Sequence, residues 1–239
     1  VKTLHQKVVD DLHSLANPDK IPDYMCFFKT GRGEYGEGDK FLGIKMPDIR
    51  KVIKEYRFVL SMNDIETFLY SEYHEERMFA LLYLVAQYKS KKLSDAEREE
   101  IYSFYISNTK QINNWDLVDV TAPHIVGVHL LHRDRTVLYD FAHSDDLWKK
   151  RIAIISTFAF INTRQYDDTL NIADILLHDS HDLIHKAVGW AIRNVGIKDL
   201  QVELDFLKTR YQKMPRTMLR YAIEKFDEPL RLDYLKGRV

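Results

Sequence analysis

Apolar residues recur every three to four positions along most of this chain, with polar residues filling the faces between them. That is the period of an α-helix, not of a strand. Thr3 to Ala16 is amphipathic and stops at Asn17-Pro18. Pro47 stands where a first helical turn tolerates it and opens Asp48-Ile49-Arg50-Lys51-Val52-Ile53. Ser94 offers an N-cap to the helix that carries Glu100, Ile101 and Phe104. Further helical patterns cover about 115–131, 134–142, 146–160, 167–178, 182–195, 199–212 and 215–226. No alternating strand run stands out, so the pattern predicts an all-α protein.

A longer period lies over the helical one. Arg77-Met78-Phe79-Ala80, Arg151-Ile152-Ala153, Lys186-Ala187-Val188 and Arg220-Tyr221-Ala222 each set a basic residue before an apolar helix body, at spacings of 74, 35 and 34 residues. The first gap is two periods, and its midpoint falls beside Trp115. A helix-pair repeat of roughly 35–40 residues predicts a curved superhelical solenoid of HEAT-like repeats. On this reading residues 1–239 form a single domain of about six helix pairs. Trp115, Arg151 and Lys186 share one offset in the repeat, and Asp119 and Trp190 lie about one turn further on. The expected result is indole, acid, guanidinium and indole along one concave wall.

Composition narrows the setting. The chain has 239 residues, 45% of them hydrophobic, enough for a substantial core. One cysteine, Cys26, excludes an internal disulfide framework and suits a reducing cytoplasm. No apolar run approaches a membrane span, and Val1-Lys2-Thr3-Leu4-His5 is not a signal peptide. The net charge of −1 argues against a basic coat, although residues 148–239 hold 16 Lys and Arg against 12 Asp and Glu.

The chemistry concentrates at Asn113-Asn114-Trp115-Asp116-Leu117-Val118-Asp119. Trp115 and Asp119 fall four apart, on one helical face. Asp119 reads either as a salt-bridged structural acid or as a carboxylate that stabilises a sugar turning cationic. Asp116, three residues earlier, points elsewhere. Trp115 and Trp190 read either as core or as flat walls for a cation, sugar or base. Gly189, inside a helical pattern just before Trp190, suggests close approach by another group. Arg151 ends the run Lys149-Lys150-Arg151 and suits a phosphate, and Lys186 is a second candidate for that task.

Gly31-Arg32-Gly33-Glu34-Tyr35-Gly36 has dinucleotide-fingerprint spacing, but it lacks the flanking strand and helix and reads as a turn-rich loop. His181 and His185 have metal-pair spacing without a complete ligand set, so no metal is assigned.

Several spaced motifs together resemble a known family. Phe28-Lys29-Thr30-Gly31, Tyr35 through Gly43, Asn114 through Gly127 and Lys186 through Trp190 are similar to the bacterial AlkD-type DNA alkylation repair enzymes, alkylpurine DNA glycosylases built of HEAT-like repeats. The resemblance implies hydrolysis of the N-glycosidic bond of N3- and N7-alkylated purines in duplex DNA, without base flipping and without a cofactor or metal. It implies that Asp119, Trp115 and Trp190 are catalytic and that Arg151 contacts phosphate. A family aromatic bearing a hydroxyl aligns with Phe27, with Tyr24 close by, so one polar DNA contact is absent if Phe27 takes that position. The expected setting is a monomer in a bacterial-type cytoplasm, at the nucleoid when acting. The rival expectation is a catalytically inactive helical-repeat module that binds DNA structures or a protein partner.

Overall fold

Short-range signals in the sequence set most helix ends. In this computed structural model, which describes residues 2–239, Thr3 caps α1 (Leu4–Ser14) through the Gln6 N–H at 3.1 Å. Pro18 then opens a single 3-10 turn ahead of α2 (Ile21–Phe27). Pro47 stands in the first turn of α3 (Met46–Glu55). Ser61 and Asp64 form a reciprocal capping box on α4 (Met62–Leu69), and Ser94 and Glu97 do the same on α6 (Asp95–Ser107). Between them runs α5 (His74–Tyr88), followed after α6 by the five-residue α7 (Trp115–Asp119). Among the described residues, extended backbone pairs only at the isolated bridge between Lys40 and Tyr73.

The chain divides into two compact units, one ending at Thr121 and the other beginning at Ala122. In the first unit α5 is the core. Every residue from His74 to Val85 is buried, and α3, α4, α6 and α7 pack on it. A helix covered on all sides should be apolar all round. Here its first turn is His74-Glu75-Glu76-Arg77, four buried polar residues that must find partners inside the unit.

The second unit contains α8 (Thr136–Ala142), α9 (Leu147–Ser156), α10 (Phe158–Asn162), α11 (Asp167–Ile175), α12 (Asp182–Lys198), α13 (Leu200–Lys208), α14 (Arg216–Ala222) and α15 (Glu228–Lys236). α12 is its spine, and α9, α13 and α14 pack on it. The three helices that carry Arg151, Lys186 and Arg220 therefore neighbour one another in chain order, as a helix-pair repeat requires. The architecture is all-α and of the helical-repeat kind.

One expectation needs correcting. The pattern predicts a continuous helix over 115–131, but α7 ends at Asp119, and a π-helical turn (Pro123–Gly127) and a 3-10 turn (Leu130–His132) follow. Pro123 has no N–H to extend an α-helix, and the Gly127 N–H reaches back five residues to the Ala122 carbonyl at 2.9 Å. Apolar periodicity survives such a change of winding, so the sequence does not betray it. A smaller break falls at Thr157, which separates α9 from α10 within the expected 146–160 helix.

Glu203 of α13 supplies a stability prediction. It is 2% exposed, and its Oε1 has no hydrogen-bond partner. Burial pushes its carboxyl up to about 8, and the positive charge of Arg193 offsets this only in part. The folded chain then holds a proton that the unfolded chain releases near the usual carboxylate value. Folding stability accordingly falls as pH rises from about 4.5 to about 8. Glu203→Gln removes that dependence. Its thermal midpoint should exceed that of the parent at pH 8, by the equivalent of about 4 kcal/mol, and the gap should close at pH 4.5. A gap that stays constant between those two pH values would count against a protonated Glu203.

Candidate active site

In the first unit the helix that bears Trp115 and Asp119 is too short to hold itself in place. Its neighbours hold it at both ends. At the N-terminal end the Asn114 side chain accepts from the Trp115 N–H at 2.8 Å, and Arg77 Nη2 donates to Asn113 Oδ1 at 3.3 Å. Asp116 turns inward, where its Oδ1 accepts from the Leu117 N–H at 2.8 Å and its Oδ2 lies 2.8 Å from His74 Nε2. At the C-terminal end Thr121 Oγ1 bonds the Leu117 carbonyl and lies 2.9 Å from the Tyr105 hydroxyl. Trp115 and Asp119, one turn apart, are left half-buried on the outer face. Burial pushes the Tyr105 phenol up and the bond from Thr121 opposes it, while the nearby negative charge of Asp119 raises it further.

The other nitrogen of His74, Nδ1, lies 2.8 Å from Asp39 Oδ2, and Arg77 Nη2 donates to Asp39 Oδ1 at 2.7 Å. Asp39 belongs to the turn-rich loop that the glycine spacing singled out. In that loop Glu34 accepts from the Gly31 N–H and Glu37 from the Gly33 N–H, both at 2.8 Å. The amides that a dinucleotide phosphate would need are taken by the loop's own carboxylates. What the loop does is deliver Asp39 and Phe41 to α5.

Aromatic rings extend the same cluster to the surface. Phe28 and Phe41 lie against the His74 imidazole, each at 4.9 Å between ring centroids. Phe28 also stacks on Trp115 at 5.4 Å, and Phe27 meets the Trp115 ring edge-on at 5.4 Å. Phe27 is 60% exposed, while the Tyr24 hydroxyl points to the Ile44 carbonyl at 3.4 Å. Phe27, not Tyr24, therefore stands beside Trp115.

In the second unit Trp190 is half-buried on α12 and meets Phe158 edge-on at 4.7 Å. The suspicion about Gly189 is answered by α14. A Cβ on Gly189 would lie 2.4 Å from the Met218 carbonyl and 2.5 Å from Tyr221 Cβ, so only glycine lets the two helices close at Trp190. Lys186, half-buried, pairs with Asp182 at 2.6 Å. Arg151 lies deeper than an arginine on an open wall. It is 5% exposed, and its Nη1 donates to the Leu183 carbonyl at 2.6 Å, which ties α9 to the start of α12. His181 caps α12 through its ring nitrogen, and the His185 ring bonds the Asp179 carbonyl.

Sequence reasoning singled out Trp115, Asp119, Phe27, Arg151, Lys186 and Trp190. It missed Asp39, His74 and Glu75, and it set Asp116 aside as pointing elsewhere. The available signal was the run of four polar residues that begins the otherwise apolar helix α5.

A family model described as DNA alkylation repair enzyme matches residues 8–226. A solved structure titled as a predicted DNA alkylation repair enzyme from Enterococcus faecalis superposes with a TM-score of 0.70, at 16% identity, over 89% of this chain and 97% of that one. No curated protein matches.

Proposed function

The chain belongs to the DNA alkylation repair enzyme family, and we propose that it is a monofunctional DNA glycosylase. It would hydrolyse the N-glycosidic bond of cationic N3- and N7-alkylated purines in duplex DNA. The observation that carries this reading is the outer face of α7, where an indole and a carboxylate stand one turn apart on a helix clamped at both ends.

The chemistry asks little else of the protein. A purine alkylated at N3 or N7 already bears positive charge, so it departs as a neutral base without a general acid. The sugar it leaves behind turns cationic, and a carboxylate close to it lowers that barrier. Trp115 and Trp190 each offer part of an indole face to the deoxyribose and backbone. Phe27, a large exposed ring set against Trp115, adds an apolar contact to the duplex where the family has a hydroxylated aromatic. Lys186 is assigned to phosphates, while Arg151, buried against the Leu183 carbonyl, supports the start of α12. No metal or redox cofactor has a step to perform.

The deciding experiment is incubation of the purified protein with methylated duplex DNA in chelator, with chromatography of the freed bases. Release of 3-methyladenine or 7-methylguanine above the spontaneous rate is expected. Binding of the duplex with no base released would leave the inactive binding module in its place.

A further inference from the structure

Both ring nitrogens of His74 lie 2.8 Å from carboxylate oxygens, Nδ1 from Asp39 and Nε2 from Asp116. We propose that this Asp39–His74–Asp116 bridge is the positioning device of the site, one that sets where Trp115 and Asp119 stand and works only while the imidazole carries two protons. The proposal rests on the glycosylase reading for its consequence in catalysis, though not for its structural content.

With both carboxyls ionised, the geometry requires the second proton. Carboxylates at these positions accept hydrogen bonds and cannot donate them, and a neutral imidazole has a single N–H. With one proton removed, a bare ring nitrogen would face a carboxylate at 2.8 Å. The charges balance only with the imidazolium, since Asp39 and Asp116 are then met by His74 and Arg77. The remaining charged groups near this turn already have partners. Glu75 accepts three backbone N–H bonds, Glu76 bonds His13, and Lys40 pairs with Glu72 at the surface. Phe41, stacked on the ring, and Phe28, tilted against it, present faces that favour a cation.

The electrostatics of the cluster point the same way. Burial alone would push His74 down, but the charges and bonds of Asp116 and Asp39 hold it up at about 9. For Asp39, burial pushes the carboxyl up, and the bonds and charges of His74 and Arg77 outweigh it and bring it below the usual range.

The connection to the site is short. Asp116 is the residue after Trp115 and three before Asp119, on a helix of five residues. Phe28 links the imidazole to the Trp115 ring. His74, Asp39 and Asp116 touch no reacting atom and are positioning residues. When His74 loses its second proton, one of the two bridge bonds is lost, and either the α7 end or the Asp39 end of the bridge comes loose.

The test follows the Trp115 indole N–H peak and the His74 ring nitrogens by NMR between pH 6 and 10, beside single-turnover release of 3-methyladenine. In the parent protein the Trp115 peak should move with the His74 midpoint near pH 9, and excision should fall along the same limb. Asp39→Asn keeps the bond to Asp116 but removes one of the two charges, and it should bring both midpoints down by at least one pH unit. His74→Gln should lose at least tenfold in excision, with affinity for undamaged duplex within twofold of the parent. If that variant does not fold, Asp39→Asn carries the test. A Trp115 peak that stays still while His74 titrates, or an unmoved excision limb in folded Asp39→Asn, overturns the proposal. If the parent releases no base but the Trp115 peak follows His74, the bridge stands and the glycosylase reading falls.

Discussion

Asp119→Asn should lower single-turnover release of 7-methylguanine by about three orders of magnitude while affinity for the duplex stays within a few-fold. The substitution keeps the shape of the side chain and removes its charge. A unit negative charge about 4 Å from a cationic sugar, at an effective dielectric of ~20, is worth ~4 kcal/mol, and that converts to about a thousandfold in rate. Ground-state binding changes far less, because the sugar is not yet cationic when the duplex docks. Asp116 cannot take over. Its two oxygens are committed to the Leu117 N–H and to His74, and it is buried. An Asp119→Asn protein that excises at the parental rate would remove Asp119 from the mechanism, whatever else the protein does.

The outer face of that helix was readable from sequence, and its support was not. Trp115 and Asp119 stand four apart, and local periodicity is enough to put them on one side. The cap at Ser94 and the close approach at Gly189 were legible for the same reason, since each rests on residue type and helical spacing. The support involves pairs far apart in the chain. Asp39 meets His74 across 35 residues, and His74 meets Asp116 across 42. Asp116 alone looks like any surface acid, and only the imidazole beneath it explains why it turns inward. Arg151 shows the converse. Spacing set it before an apolar helix body, but spacing does not distinguish a guanidinium aimed at solvent from one folded against the Leu183 carbonyl. Winding is hidden too, as the π-turn at Pro123–Gly127 preserves the apolar positions of a regular helix.

Glu75→Ala should have the largest effect on stability, and the reason lies in the strap Phe41-Leu42-Gly43-Ile44. Glu75 is 3% exposed, and its carboxylate accepts the Leu42 N–H at 3.0 Å, the Gly43 N–H at 2.8 Å and the Ile44 N–H at 3.1 Å. The strap cannot easily turn those amides elsewhere. Gly43 holds φ at +77°, a Cβ there would lie 2.1 Å from the Asn17 carbonyl, and the Leu42 carbonyl is already bonded to the Asn17 N–H. Alanine would leave three buried donors unsatisfied at about 1–3 kcal/mol each, or about 3–9 kcal/mol in all. A domain has about 5–15 kcal/mol in total, so the first unit is expected to melt on the order of 10–30 °C lower or to lose its fold at room temperature. Glu75→Gln separates the hydrogen bonds from the packing. Its single carbonyl oxygen can keep the Gly43 and Ile44 amides, while its NH2 group meets the Leu42 N–H as a second donor, so its loss should be the smaller one. Thermal melts by circular dichroism decide the matter, and an alanine variant within 1 kcal/mol of the parent would show that the strap finds other acceptors. Because the same strap carries Phe41 onto His74, a folded but weakened variant should also excise more slowly.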